Sequence, residues 1–200
     1  MARRTDSAQV TELLLQALET ERGGQKIYAA ALKAVQNDDL RDEWQKYLEE
    51  TRGHEEILTR VFEQLGLDLE MESPGRNVVA HQGAALVDAI EMAINDASPA
   101  AAELVAAECV VLAETKDHQN WELIGSVAGR GGASAKVLQQ AYDAVEQQED
   151  HHLYHTKGWA RELWLQSLDI PAVLPPPEEQ KDVETAIGAA RAEKARKDYL

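Results

Sequence analysis

Two short turns and one long connection are the features that most constrain how this chain can fold. Segments rich in Ala, Leu, Glu, Gln and Lys, with few β-branched runs, predict four long helices. The turn NDD at 37–39 joins the first two helices, and GRGG at 129–132 joins the last two. Residues 66–98 connect the second helix to the third. Two tight hairpins joined by a long crossover favour an all-α four-helix bundle whose second and third helices run parallel.

Start and stop signals give approximate bounds for these helices. Asp6 or Ser7 can cap the first helix, which runs to about Gln36, and Gly66 closes the second, which begins near Leu40. The third helix runs from Ser98-Pro99 to about Ala128, the fourth from about Ser134 to Leu168, and a shorter helix over 81–96 lies in the crossover. We therefore expect a bundle domain over 1–170, followed over 171–200 by a proline-rich linker and a charged helical tail.

Composition narrows the classes of partner and the kinds of site. The net charge is −16, from 20 basic and 36 acidic residues, which argues against nucleic acid and anionic membranes as partners. No apolar run is long enough to span a bilayer, and the first ten residues do not read as a signal peptide, so we expect a cytoplasmic protein. Cys109 is the only cysteine, which excludes an internal disulfide and a thiolate-cluster metal site.

The helical phase of the charged residues separates inward from outward positions. At about 100° per residue, each long helix places at least one ionisable group on its apolar face. The inward set is Glu21 on the first helix, His54 flanked by Glu50 on the second, Glu114 with Asp117 and His118 beside it on the third, and His152 flanked by Glu149 and Gln148 on the fourth. By the same phase Glu19, Glu49, Asp150 and His151 should face solvent.

An ionisable residue on the apolar face of a helix can be explained in two ways. A single inward histidine is most often a hydrogen-bonded core residue, and a metal-free bundle with a polar core is one explanation of the whole set. A buried charge costs several kcal/mol unless it is paired or ligated, however, and four helices carry one at mid-height. Carboxylates and imidazoles without thiolates, with Glu149 and His152 in Glu-x-x-His spacing, suit a pair of iron or manganese ions.

At these residues the chain resembles the ferritin-like superfamily of carboxylate-bridged dimetal proteins. Within that superfamily, QKYLEETRGHEEILTRVFEQLG is similar to the second helix of the YciF/YciE-like bacterial stress proteins. The resemblance covers about residues 8–168. It implies two iron or manganese ions per chain, with the following ligands: carboxylates at Glu21, Glu50, Glu114 and Glu149, and imidazoles at His54 and His152.

One position departs from the family pattern. A second Glu-x-x-His motif would place a glutamate at 51, where this chain has Thr51, so that Glu50 would have to act as the carboxylate for His54. We therefore expect the ion beside Glu149 and His152 to bind more tightly than the other. On the third helix, Asp117 or His118 could replace Glu114 as the ligand.

Three functions are compatible with these residues. The first is an oxidoreductase, ferroxidase-like or catalase-like, whose reduced dimetal centre reacts with peroxide or oxygen under oxidative stress. The second is iron oxidation and storage inside a closed shell, and the third is a metal-free helical interaction module linked to stress. Trp164 and Leu168 lie off the main apolar line of the fourth helix, so we also expect a homo-oligomer, most simply a dimer.

Overall fold

The fold was analysed in a computed structural model of the chain, which describes residues 2–170 and their side chains from residue 8 onward. All regular secondary structure in that range is helical, as predicted. The five helices are α1 (Ala2–Ala34), α2 (Asp38–Leu65), α3 (Pro74–Asp96), α4 (Pro99–Gly129) and α5 (Ala135–Ser167). None of them combines the length and the apolar character that crossing a membrane requires. The predicted linker and tail at 171–200 lie outside the described residues.

Local sequence signals explain where most of these helices begin and end. Asn37 caps α2 by accepting a hydrogen bond from the amide of Leu40, and Ser98 caps α4 through the amide of Ala101. Gly66 ends α2 in the left-handed conformation, with φ of 65°, that favours glycine. Two expected bounds were wrong. The chain is helical from Ala2, so neither predicted cap begins α1, and α1 ends at Ala34 rather than near residue 36.

Side-chain contacts show that the four long helices run antiparallel to their packed neighbours. The sequence numbers of contacting residues rise along α1 as they fall along α4, from the Glu21–Trp121 contact to the contact of Gln36 with Glu103. The contacts of α2 with α5 follow the same rule, from His54–Gln148 to Glu43–Trp159. Since α1 and α2 form one hairpin and α4 and α5 the other, α2 and α4 run in the same direction, as the sequence predicted.

The crossover helix α3 packs against the outside of α1 and α4. It begins at Pro74 rather than near residue 81, because Ser73 accepts a hydrogen bond from the amide of Arg76 and so acts as its N-cap. The Arg76 guanidinium lies 3.0 Å from the carboxylate of Glu19. Glu19 was predicted to be exposed, and that prediction was wrong: its side chain is only 14% exposed because α3 covers this face of α1.

Of the other three residues predicted to face solvent, Glu49 does so, whereas Asp150 and His151 are only partly exposed. Glu49 is exposed, as expected. His151 is half-buried, with its ring 5.2 Å from that of His155. The Asp150 side chain is only 18% exposed and accepts a hydrogen bond from His118.

The apolar interior consists of two clusters of buried side chains with a polar layer between them. The first core, near the α1–α2 turn, includes Tyr28, Trp44, Tyr47 and Val110, and the lone thiol of Cys109 is buried there. The second core lies near the α4–α5 turn and contains Leu14, Leu18, Leu58, Phe62, Trp121, Ile124 and Val145. On all four long helices the ionisable residues of the inward set fall between the stretches that build these cores. The fold thus holds them at mid-height of the bundle.

A buried carboxylate ties the start of α4 to the α1–α2 turn. Glu103, only 5% exposed, accepts hydrogen bonds from the backbone amides of Gln36 at 2.8 Å and Asn37 at 2.7 Å. These two amides lie between helices and have no helical partner, so the buried carboxylate pairs with donors that the helices leave free.

Replacing Glu103 by alanine should therefore destabilise the protein. We expect Glu103→Ala to lower the free energy of unfolding by about 1–3 kcal/mol, because it removes two hydrogen bonds to a charged acceptor. Urea unfolding followed by circular dichroism measures the change. Glu63→Ala, at an exposed position on α2, is the matched control and should change stability by less than about 0.5 kcal/mol. Equal effects of the two substitutions would contradict this role for Glu103.

Candidate metal centre

Six ionisable side chains from the four long helices meet at mid-height between the two apolar cores. We call this set the polar layer; it consists of Glu21 from α1, His54 from α2, Glu114 and Asp117 from α4, and Glu149 and His152 from α5. All six are buried, and the side chains of Glu21 and His152 have no exposed surface at all. Five of the six predicted ligands belong to this layer; the sixth, Glu50, does not.

Both histidines direct the same ring nitrogen into the polar layer. The Nδ1 atom of His54 lies 3.0 Å from Glu149 Oε1 and 3.6 Å from Glu21 Oε1. The Nδ1 atom of His152 lies 3.6 Å from Glu149 Oε1 and 3.6 Å from Glu114 Oε2. The two rings are stacked, with their centroids 5.6 Å apart. Two imidazole nitrogens and the carboxylate oxygens around them therefore converge on one small volume.

The outer ring nitrogens are held by a second pair of side chains. His54 Nε2 is 2.8 Å from Gln148 Oε1, and His152 Nε2 is 3.0 Å from Glu50 Oε2. Gln148 Nε2 also donates to Glu50 Oε1 at 3.0 Å, which links the two supports. Partners of this kind orient the histidine ligands of metal sites by hydrogen bonding the nitrogen that does not bind the ion.

This arrangement gives Glu50 a different position from the one predicted. It lies at the edge of the site, with 16% of its side chain exposed and Lys46 3.5 Å away, and it contacts the outer side of His152. The sequence contained a signal for this pair. Glu50 stands four residues before His54, and Gln148 stands four residues before His152. On each of these helices, the residue one turn before the histidine supports the histidine of the opposite helix.

Asp117 joins Glu114 in the polar layer rather than replacing it. Both carboxylates are buried, whereas His118 turns away and its Nε2 lies 2.7 Å from Asp150. Thr51, at the position where the family pattern has a glutamate, is buried and donates its hydroxyl to the carbonyl of Tyr47 at 2.8 Å. The carboxylate lacking on α2 thus has a counterpart on α4.

Two groups of three side chains have the spacing of a metal site. One is Glu21, Asp117 and Glu149, and the other is His54, Glu149 and His152; within each group the ligand atoms lie within 4.8 Å of one another. Glu149 belongs to both groups. A carboxylate shared by two sets of ligands is the feature that allows one side chain to contact two ions.

Burial and mutual repulsion shift the proton affinities of these carboxylates. Burial, and then the charges of Asp117 and Glu149, hold the pKa of Glu21 well above its ordinary range. The pKa of Asp117 is likewise well above its usual range, through burial and the charges of Glu149 and Glu114. Burial and the neighbouring Glu114 raise the pKa of Glu149 to about 8. Without a cation, these groups resist ionisation.

The pKa values of the two imidazoles shift in opposite directions. Burial lowers the pKa of His54, because its charged form loses hydration and its bond to Gln148 offsets this only in part. Burial acts in the same direction on His152, but the carboxylates of Glu114 and Glu50 outweigh it and raise its pKa to about 10. In the absence of a metal, His152 is therefore the cation that partly neutralises the layer.

Many polar atoms of the polar layer form no regular hydrogen bond. Seven of its atoms are buried and form no hydrogen bond of regular geometry, although His54 Nδ1 and His152 Nδ1 lie close to the carboxylates described above: Glu21 Oε2, His54 Nδ1, Glu114 Oε2, Asp117 Oδ1, both carboxylate oxygens of Glu149, and His152 Nδ1. Buried polar atoms are normally paired, and each unpaired one costs about 1–3 kcal/mol. No lysine or arginine in the described part of the chain forms an ion pair with the four carboxylates. A divalent cation satisfies both the charge and the lone pairs, so these residues fit a metal centre.

Comparisons with known proteins add no assignment to this geometry: no protein-family model, no curated protein and no solved structure matches the chain.

The shared position of Glu149 predicts an order among substitutions. Glu149→Gln should remove more bound metal than Asp117→Asn, because Glu149 belongs to both groups of ligands and Asp117 to one. Elemental analysis after dialysis against Mn(II) or, without oxygen, Fe(II) measures the loss. Glu146→Gln, at an exposed position on the same helix, should leave the metal content unchanged. If Glu149→Gln retains as much metal as Asp117→Asn, Glu149 is not shared.

The raised pKa values predict how the stability of the metal-free protein depends on pH. Glu149, with its pKa raised from 4.5 to about 8, and His152, raised from 6.5 to about 10, both bind protons more tightly in the folded state. Their contribution to stability is complete below the unfolded-state values and is lost as the pH rises through the folded-state values. The melting temperature of chelator-treated protein should therefore fall between about pH 6 and about pH 9.

Bound metal should reverse this trend, because it replaces the displaced protons. The increase in melting temperature on adding Mn(II) should thus be larger at about pH 9 than at about pH 6. Glu149→Gln, which cannot ionise, should show a shallower fall without metal. A melting temperature of the metal-free protein that is flat or rises over this range would contradict the assignment.

Proposed function

We propose that this chain is a ferritin-like dimetal protein, and that its centre of two iron or manganese ions reacts with peroxide or oxygen. The observation that carries the proposal is the convergence of seven polar atoms without a regular hydrogen bond, from four helices, on a buried volume that no lysine or arginine of the described chain neutralises. The antiparallel helices and the parallel course of α2 and α4 support the ferritin-like part of the proposal.

The ligand chemistry supports iron or manganese over other metals. The polar layer offers four carboxylates and two imidazoles and contains no thiolate, the donor set typical of di-iron and di-manganese sites in helical bundles. Glu21, Asp117 and Glu149 would hold one ion, and Glu114, Glu149 and His152 the other. His54 could join the first, because its Nδ1 atom also lies 3.6 Å from Glu21 Oε1. When bound, such a pair of ions supplies two-electron redox chemistry, and the protein supplies binding, orientation and exclusion of water.

Neighbouring aromatic side chains orient residues of the polar layer and shield them from water. Trp121 donates its indole N–H to Glu21 Oε1 at 2.8 Å, which fixes the carboxylate and leaves Oε2 buried without a hydrogen bond. The ring of Tyr47 packs against His152 with the centroids 4.3 Å apart, and Tyr28 meets the same ring edge-on at 6.3 Å. These aromatic rings exclude water from one side of the site, which strengthens electrostatic interactions within it.

Elemental analysis combined with mass in solution tests the proposal. Protein purified without chelator should contain iron or manganese, exist as a small oligomer, and consume peroxide or oxygen after reduction. The double variant His54→Ala/His152→Ala should fold, bind little metal and lose this activity. Its control is Glu49→Gln/Glu56→Gln, at two exposed positions on α2.

Two other results would favour one of the alternative functions. Iron held in a very large closed assembly would indicate storage rather than turnover. Wild-type protein that binds neither Mn(II) nor Fe(II) would contradict the proposal and would favour a metal-free interaction module.

A further inference from the structure

Helix α3 is buried most deeply near its two ends. At the first end, Arg76 contacts Glu19 and donates to the carbonyls of Leu69 at 2.7 Å and Met71 at 2.9 Å. At the other end, Ile90 is completely buried in the first core. No residue between 80 and 89 is buried, although this part of α3 lies over the seam between α1 and α4. Between the two ends, Leu86, Val87 and Ala89 pack only partly against the first core, and a cleft lies between α1, α3 and α4.

Two glycines bring the backbones of α1 and α3 into contact beside that cleft. A Cβ atom placed on Gly83 would lie 3.5 Å from the Cα atom of Gly23. The cleft between α1, α3 and α4 has a volume of about 440 Å³, within the range of sites for small molecules. Its wall is largely apolar, formed by Ile27, Val79, Leu86, Leu112 and Ala113 with the two glycines.

The charged groups of the cleft differ in whether they are already paired. Glu19 lines it, but its carboxylate pairs with Arg76. Lys116 lines it as well, and its ammonium group donates to the neutral amide oxygen of Asn120 at 2.7 Å rather than to a carboxylate. The cleft thus combines an apolar body with one cation whose charge is not matched by its hydrogen-bond partner.

We propose that this cleft binds a small amphiphilic carboxylate, such as a medium-chain fatty acid. The alkyl chain would pack against Ile27, Val79 and Leu86, and the carboxylate would accept a charge-assisted hydrogen bond from Lys116. The apolar wall accounts for affinity, and the single ammonium group selects an anionic end over a neutral or cationic one.

The cleft is separate from the polar layer, although the two share walls. On α1, Thr20 lines the cleft and the next residue, Glu21, belongs to the polar layer. On α4, Lys116 lines the cleft and the next residue, Asp117, belongs to the polar layer. Asn120 donates to Thr20 at 3.0 Å and closes the wall between them. Carboxylate binding in the cleft therefore does not depend on metal binding, and the two proposals can fail independently.

Calorimetric titration with decanoate, decanol and decyltrimethylammonium, below their micellar concentrations, tests the preference for an anion. Decanoate should bind most tightly to the full-length protein. Lys116→Met keeps the apolar stem and removes the charge, so it should weaken decanoate binding by about tenfold and leave decanol binding unchanged. Lys26→Met, at an exposed position on α1, is the matched control and should bind decanoate as the wild type does.

Methyl NMR spectra of the wild-type protein locate the ligand without any variant. Decanoate should shift the methyl signals of Ile27, Val79 and Leu86 and leave those of Ile124 and Val145, in the second core, unchanged. The proposal is overturned if these signals do not move, or if decanol binds as tightly as decanoate. It is also overturned if dilution alone shifts the signals while the mass falls from dimer to monomer, because a second copy of the chain would then occupy the cleft.

Discussion

Everything at the centre of this bundle depends on how four buried carboxylates are neutralised. Each would cost several kcal/mol as an isolated charge, and His152 is the one group in the polar layer that carries a compensating positive charge when no metal is bound. The metal-free protein limits the cost by retaining protons on Glu21, Asp117 and Glu149. A metal ion bound here would therefore compete with protons for the same oxygens.

The supports of the two histidines are chemically unequal. His152 rests on the carboxylate of Glu50, whereas His54 rests on the amide of Gln148. A carboxylate behind an imidazole makes the opposite nitrogen a stronger donor to a metal, and an amide does so less. The carboxylate of Glu50 would strengthen metal binding at His152. The additional carboxylate of Asp117 would strengthen metal binding beside His54. Compensation of this kind was not visible when only the missing glutamate at position 51 was considered.

Helical phase was sufficient to predict most of the fold and most of the site. The inward positions of Glu21, His54, Glu114 and His152 follow from a period of 3.6 residues, because the surrounding apolar residues define the buried face without reference to other helices. The directions of the four long helices followed from turn lengths in the same way. Both are local properties of the chain.

What could not be predicted depends on contacts between distant segments. Glu19 is covered because α3 crosses the outer face of α1, and no periodicity within α1 reports that crossing. Glu50 supports His152 rather than entering the layer because α5 packs beside α2 at that height. Asp117 lies on the flank of its helix, where a shift of a few tens of degrees decides between core and surface. Side chains at such boundaries are placed by tertiary packing and not by phase alone.

The division of the apolar interior has a consequence for how the sequence can vary. The two cores are separated by the polar layer, so a side chain in one, such as Phe62, does not pack against a side chain in the other, such as Trp44. Substitutions at sites that share no contacts have effects that add, whereas those at packed neighbours are coupled. Either end of the bundle can therefore be repacked while the other end and the polar layer between them keep their positions. Such a chain can change its size, stability and surface at one end without disturbing the buried charges at its centre.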